Sequence, residues 1–373
     1  MRLLYICCLI VPFLTFSGYG QSQPLFQSGD AGYTCFRIPA VITLSSTELV
    51  VFAEGRKDGC ADFGDVDIVM RKSIDGGLTW SSIQVVVDEG QLQAGNATPI
   101  LDRYDVNYPS GRLFLFYNTG TASEQQTREG EGRRRGFYLT SSDGGVNWSD
   151  PVLISDKTHF DRHSAIENRD HRTLAYAPGH GLQLIYGPSK GRLLVPLNYS
   201  KGPPQADYKD YRASAIYSDD HGLSWRVSES LDVPSSNEVM ASQLSNGEVL
   251  MIVRIQNTAV KNKFLARSSD GGQSWHEQTS VNDLITPVCQ SSILFVEDLN
   301  TLFHLGPNSK YQREKLTLWD SADFGKTWRV AREINSGFSA YSDMAYLERN
   351  RLALVYETDN YNQIVFERIN LNK

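Results

Sequence analysis

The sequence predicts an all-β chain, a six-bladed β-propeller of four-stranded antiparallel blades, and three observations carry that expectation. The motif Ser-x-Asp-x-Gly-x-x-Trp recurs five times, at Ser73–Trp80, Ser141–Trp148, Ser218–Trp225, Ser268–Trp275 and Ser321–Trp328. Its aspartates stand 68, 77, 50 and 53 residues apart, and a spacing of about 50 residues suits one four-stranded blade. Beyond the first 20 residues no long stretch keeps a 3.6-residue apolar period, so helices should be few and short.

Each motif copy has the composition of a tight turn. Its Ser and Asp side chains can bond nearby backbone, and its Gly can take positive φ. Short β-rich runs precede the copies, such as Ile68-Val69-Met70, Phe137-Tyr138-Leu139, Ala215-Ile216-Tyr217 and Leu316-Thr317-Leu318. Strand, turn and strand make a hairpin whose register the turn sets. The closing Trp is a large apolar plate for packing against the neighbouring unit. The tail offers three more strands, Tyr341–Leu347, Leu352–Tyr356 and Ile364–Ile369. An N-terminal strand near Val41–Leu44, or earlier, is expected to supply the fourth and close the ring.

Residues 1–20 read as a secretory signal: Arg2, an apolar run over Leu3–Phe16, and small residues Gly18 and Gly20 before a cut ahead of Gln21. The remainder, 21–373, is expected to be one domain without a membrane span, and the product exported: extracellular, periplasmic or lysosomal according to source. The net charge of −7 argues against nucleic acid or an acidic membrane as main partner. An anionic ligand would need a local cationic site. Of the cysteines beyond the signal, Cys35 and Cys60 lie on adjacent segments of one blade, either bridged or free, and Cys289 reads as a buried thiol. Asn96-Ala-Thr98, Asn147-Trp-Ser149 and Asn198-Tyr-Ser200 are glycan acceptor patterns, meaningful only in a eukaryotic source.

Three arginines sit in apolar or strand-forming surroundings: Arg37 in Phe36-Arg-Ile-Pro39, Arg254 at the end of Val249–Val253, and Arg313 before Leu316–Leu318. A buried Arg needs an anionic partner, so each reads as a structural salt bridge or as part of a guanidinium cluster. If they converge, they suit a carboxylate.

Phe36-Arg37-Ile38-Pro39 followed by five Asp boxes resembles the sialidase (neuraminidase) family of bacteria and animals over essentially the whole mature chain. The resemblance implies a clamp of Arg37, Arg254 and Arg313 on the carboxylate of sialic acid, with Arg56 touching the sugar ring near it. It implies Asp62 as acid/base, with Asp58, Asp65 and Asp67 as competitors, and Tyr341 as nucleophile with Glu238 as its base. A phenol suits a substrate whose anomeric carbon carries a carboxylate, because a carboxylate nucleophile would be repelled. The expected function is an exo-α-sialidase acting with retention on terminal α-linked sialic acids of glycoproteins, glycolipids or oligosaccharides. The alternatives are a trans-sialidase and a non-catalytic Asp-box propeller that binds glycans or proteins.

No cofactor or metal is expected. Four of the seven histidines fall between His159 and His180, but the His159/His163 spacing lacks an acidic or Cys pattern beside it. Pro178-Gly179-His180-Gly181 reads as a loop, on the cleft rim if it reaches the site, and the mixed-charge run Arg128–Arg135 as a solvated insertion.

Overall fold

The computed structural model describes residues 22–159 and 170–371. The signal-like stretch 1–20 and His163 therefore lie outside the described residues. In chain order the strands are β1 (Ser22–Gln27), β2 (Cys35–Thr43), β3 (Leu49–Arg56), β4 (Val66–Ser73), β5 (Gln84–Val87), β6 (Gln93–Asp102), β7 (Arg112–Gly120), β8 (Arg134–Ser141) and β9 (Val152–Leu153). Next come β10 (His171–Tyr176), β11 (Leu182–Gln183), β12 (Leu193–Lys201), β13 (Tyr211–Ser218), β14 (Arg226–Val227), β15 (Ser236–Gln243), β16 (Val249–Ile255), β17 (Asn262–Ser268) and β18 (His276–Ile285). The last six are β19 (Ser292–Val296), β20 (Thr301–Pro307), β21 (Glu314–Ser321), β22 (Arg329–Leu347), β23 (Arg351–Thr358) and β24 (Gln363–Asn370). The α-helices among the described residues are short, α1 (Glu124–Glu129) and α2 (Ser155–Thr158), as the missing helical period predicts.

These strands form four sheets, of eight, five, four and seven strands. The eight-stranded sheet runs from β2 to β9 and is continuous only because Val66 bridges Gln93 in parallel. The seven-stranded sheet is continuous because β22 is 19 residues long. Its first half pairs β21 and its second half pairs β23. The strand that pairs β24 is β1, so the earlier of the two N-terminal candidates is the right one. Val41–Thr43 instead pairs β3.

The five motif turns share one bonding pattern. In each, the Ser Oγ accepts the Gly N–H at 2.8 Å. The Asp takes backbone N–H groups further along, such as Thr79 N at 2.9 Å and Ser274 N at 3.0 Å. Gly77 shows why glycine is required: its φ is +83°, and a Cβ there would lie 2.3 Å from the Phe366 ring. The tryptophans bind unit to unit. Trp80 meets Phe366 of β24, Trp148 meets Phe52 of β3, and Trp225 meets Phe116 of β7. Between neighbouring strand groups lie apolar layers such as Val50, Phe52 and Met70 against Leu113 and Leu115. Full burial of each such side chain is worth roughly 1.5–3 kcal/mol. These layers hold strands from distant parts of the chain at fixed positions around one pocket.

Candidate active site

All seven residues singled out in the sequence line a single pocket of about 230 Å³: Arg37, Arg56, Asp62, Glu238, Arg254, Arg313 and Tyr341. Arg37 comes from β2 at a bulge where Ile38 takes φ +57°, a conformation that a β-branched residue adopts only under constraint. The constraint is Glu357, fully buried on β23. One of its oxygens accepts from Arg37 Nε at 2.6 Å and from Ile38 N at 2.8 Å. The other accepts from Tyr341 N at 3.1 Å. One carboxylate thus fixes both the first arginine and the backbone that presents the tyrosine.

Arg254 closes β16, and Glu238 lies on the paired strand β15. Arg254 Nη1 donates to Glu238 and, at 2.6 Å, to the Tyr341 hydroxyl. Glu238 Oε1 accepts from the same hydroxyl at 2.5 Å. Arg313, just before β21, donates to the Tyr361 hydroxyl at 2.9 Å and to the Val288 carbonyl at 3.2 Å. The guanidinium carbons of Arg37 and Arg313 each lie 5.4 Å from the Tyr341 ring centroid. The three arginines predicted to converge are therefore gathered around one phenol.

Asp62 stands on the loop between β3 and β4, 2.8 Å from Arg56 Nη1 and 3.8 Å from Arg37 Nη1, with its side chain 80 % exposed. Its competitors are placed elsewhere. Asp65 and Asp67 pair with Lys57, and Tyr33 donates to Asp67 at 2.6 Å. Neither they nor Asp58 line the pocket. Cys35 and Cys60 are bridged, which ties the Asp62 loop to β2, and the Cys60 carbonyl accepts from Arg56 at 2.5 Å. Cys289 is a buried free thiol, as expected.

Electrostatics follow from this packing. Burial pushes the Tyr341 phenol well above its ordinary value, against the lowering pull of Arg254 and Arg313. The phenol is neutral until a base takes its proton. Desolvation by the pocket walls raises the Asp62 carboxyl, but Arg56, Arg37 and Arg313 outweigh it and the net shift is downward. Beneath the clamp, buried Lys263 donates to the Cys289 carbonyl at 2.5 Å, and burial pulls its ammonium down to about 7.

Several sequence expectations need correction. His180 does not line the cleft: it bonds Asp343 and, with Val41 and Met344, lines a different cavity. The run Arg128–Arg135 is solvated only in part: Glu129, Glu131, Gly132 and Arg135 are exposed, but two of its arginines are tied down. Arg128 pairs with buried Asp210, and Arg134 opens β8, is buried, and pairs with Glu124 at 2.7 Å on the pocket wall. The three glycan acceptor patterns differ in accessibility, with Asn147 exposed on its motif turn. Asn198 is buried, Asn96 holds the Tyr176 carbonyl at 2.8 Å, and Asn147 is tied to Asp143 within its motif. His159 packs on the rings of His171 and Tyr199. Asp102, Asp105 and His221 could together hold a metal ion, but Arg112 already pairs Asp105 and none of the three lines the pocket.

Sequence reasoning missed Glu357, Glu54 and Tyr361. Glu54 holds Arg56 at 2.6 Å and the Asn96 N–H at 2.8 Å, and Tyr361 lies 4.1 Å below the Arg37 guanidinium. The available signal was a carboxylate inside an apolar strand, Val355-Tyr356-Glu357 and Val51-Phe52-Ala53-Glu54, which is the reasoning already applied to Arg37.

Residues 47–353 match the family model described as BNR repeat-like domain. The chain belongs to the BNR repeat-like domain family. This BNR repeat-like chain is 30 % identical over 355 residues to the sialidase of Micromonospora viridifaciens, covering 90 % of the chain and 52 % of that relative. It therefore spans about half the length of that relative. Among solved structures, the Hadza microbial sialidase Hz136 superposes with a TM-score of 0.78 at 20 % identity, over 94 % of this chain and 68 % of the other. The intramolecular trans-sialidase of Ruminococcus gnavus superposes with a TM-score of 0.73 at 17 % identity, over 94 % and 98 %. At these identities the superpositions establish a shared all-β fold.

Proposed function

We propose that this chain is an exo-α-sialidase that hydrolyses terminal α-linked sialic acids of glycoconjugates with net retention. The observation that carries the reading is Tyr341, whose hydroxyl meets Glu238 and Arg254 while Arg37 and Arg313 flank its ring. Three fork-shaped cations around one phenol suit a substrate with a carboxylate on its reacting carbon. The sialidase relatives support the same substrate class.

In this mechanism Arg37, Arg254 and Arg313 bind the carboxylate and orient the anomeric carbon over Tyr341. Glu238 accepts the phenol proton as Tyr341 Oη bonds to that carbon, and the glycosidic C–O bond breaks. Asp62 gives its proton to the departing oxygen. It then takes one from water as that water attacks the same carbon and displaces the tyrosyl oxygen, which recovers its proton from Glu238. Two displacements return the original anomeric configuration. General acid–base assistance of this kind typically contributes about 10²–10⁴-fold.

The proposal includes a six-bladed propeller, with β1 as the fourth strand beside β22–β24. The antiparallel runs β2–β5, β6–β9, β15–β18 and β19–β22 support it, as does the β10–β14 sheet. It also includes export behind residues 1–20. The test is release of a fluorogenic aryl sialoside by wild type and by Tyr341→Phe, from pH 4 to 8. Turnover by wild type alone is expected, and no wild-type turnover at any pH would sink the proposal.

A second reading, transfer of the sialosyl group to a sugar hydroxyl instead of water, is favoured by the superposition on the Ruminococcus gnavus trans-sialidase. Product analysis with and without added lactose separates the two. Free sialic acid as main product in both cases supports the hydrolase.

A further inference from the structure

One wall of the pocket is built from polar groups that the protein leaves unsatisfied. Along one face of the β7–β8 pair the register runs Phe116 with Tyr138, Asn118 with Gly136, and Gly120 with Arg134. Against β10 this seam begins as rings packed edge to face, with the Phe116 centroid 5.4 Å from that of Tyr176. Toward the pocket it becomes polar. Neither side-chain atom of Asn118 has a hydrogen-bond partner, and the same holds for Tyr176 Oη, Asn198 Nδ2 and Arg134 Nε. These four residues are only 0 %, 0 %, 1 % and 8 % exposed. Arg134 and Asn198 line the pocket directly. Gly136 makes room behind them, since a Cβ there would lie 2.3 Å from the Tyr176 hydroxyl. Native proteins leave few buried polar groups unpaired, so Arg134 and Asn198, the two that line the pocket, call for a ligand that bonds them.

We infer that this wall receives the substituent on carbon 5 of the sugar and selects one that ends in a hydroxyl over the methyl-ended N-acetyl group. The inference rests on the reading above, in which the arginine clamp holds the sugar carboxylate. That carboxylate is on carbon 2, and carbon 5 faces carbon 2 across the six-membered ring. Anchoring the one aims the other away from the clamp, toward the wall of β8 and β12. A methyl group there would cover Asn198 and Arg134, which line the pocket, and pair neither of them. A hydroxyl supplies both a donor and an acceptor. Sites built to bond a hydroxyl reject the analogue that lacks it far more strongly than apolar pockets reject an added one. Two sugars offer this chemistry: the deaminated form, with a hydroxyl directly on carbon 5, and the N-glycolyl form, with a hydroxyl at the end of its acyl arm.

The test is calorimetric binding of three methyl α-sialosides, alike except for N-acetyl, N-glycolyl or hydroxyl at carbon 5. The Tyr341→Phe protein is used so that turnover does not intervene. At least one hydroxyl-ended sugar should bind about tenfold or more tightly than the N-acetyl sugar, and which of the two leads identifies the reach of the wall. Adding Arg134→Leu or, separately, Asn198→Leu should cut that preference at least threefold. Each ratio compares sugars on one preparation, so partial misfolding of a variant does not enter it. Equal or tighter binding of the N-acetyl sugar overturns the inference. So does a preference that neither variant moves. Ranked binding without wild-type hydrolysis would remove the proposed activity and leave this inference standing.

Discussion

At the scale of single residues, Glu357 is the carboxylate on which the site most depends. It is fully buried and bonds Arg37 Nε, Ile38 N and Tyr341 N. Removing one partner of a buried ion pair leaves the other charge uncompensated, typically at about 3–5 kcal/mol. Glu357→Ala should lose stability on that scale by denaturant titration and raise KM for an aryl sialoside; a loss under about 1 kcal/mol would contradict the role. In the proposed mechanism Asp62 sets the pH response. In the free pocket Arg56, Arg37 and Arg313 hold it ionised to lower pH than usual despite desolvation by the pocket walls. A general acid must carry its proton, so kcat/KM should fall as pH rises through this depressed pKa. A bound carboxylate offsets part of the clamp's charge and raises the pKa in the complex. The alkaline limb of kcat should therefore lie at higher pH than that of kcat/KM, and coincident limbs would contradict the assignment.

At the scale of elements, the motif turns hold the scaffold and the disulfide loop carries the proposed acid/base Asp62. Asp270 accepts from Gln273 N, Ser274 N and Ser274 Oγ, and is absent from the pocket. Asp270→Ala should cost about 2 kcal/mol through those lost bonds. Its kcat should stay at the wild-type value, and a tenfold drop would mean that the turn does more than hold strands. The Cys35–Cys60 bridge closes 25 residues of chain, which by loop entropy is worth about 3 kcal/mol. Because the Cys60 carbonyl and Asp62 both bond Arg56, the double Ser variant should also lose about tenfold in kcat/KM. Full activity in that variant would show that the loop positions Asp62 unaided. The hairpins were legible in the sequence because Ser and Asp bond the turn's own backbone and Gly takes its positive φ. The helix α1 was hidden in a charge run, and buried Arg134 was read as solvated, because its partners Glu124 and the pocket wall are set by tertiary packing.

At the scale of the whole molecule, pairing of the first and last described strands brings parts of the chain that are far apart in sequence to one site. Strand β1 pairs β24, and Ile38 meets Glu357 across 319 residues of sequence. Arg37, Asp62, Glu238, Arg254, Arg313 and Tyr341 were legible because unusual residue types stood in strand-like surroundings at family-like spacings. Glu357 was marked only by its place in an apolar strand, which does not say which residue it serves, and Tyr361 carries no local mark. His180 misled for the same reason: its partner Asp343 is 163 residues away. The central claim is that Tyr341 Oη bonds to the anomeric carbon of a sialic acid. The most direct measurement is peptide mass spectrometry after incubation with a 3-fluorosialosyl fluoride, whose ring fluorine slows breakdown of the adduct. The mass of one fluorosialosyl group should appear on the peptide containing Tyr341 and be missing in Tyr341→Phe; an adduct on Glu238 or Asp62, or none while the aryl sialoside is hydrolysed, would contradict the claim.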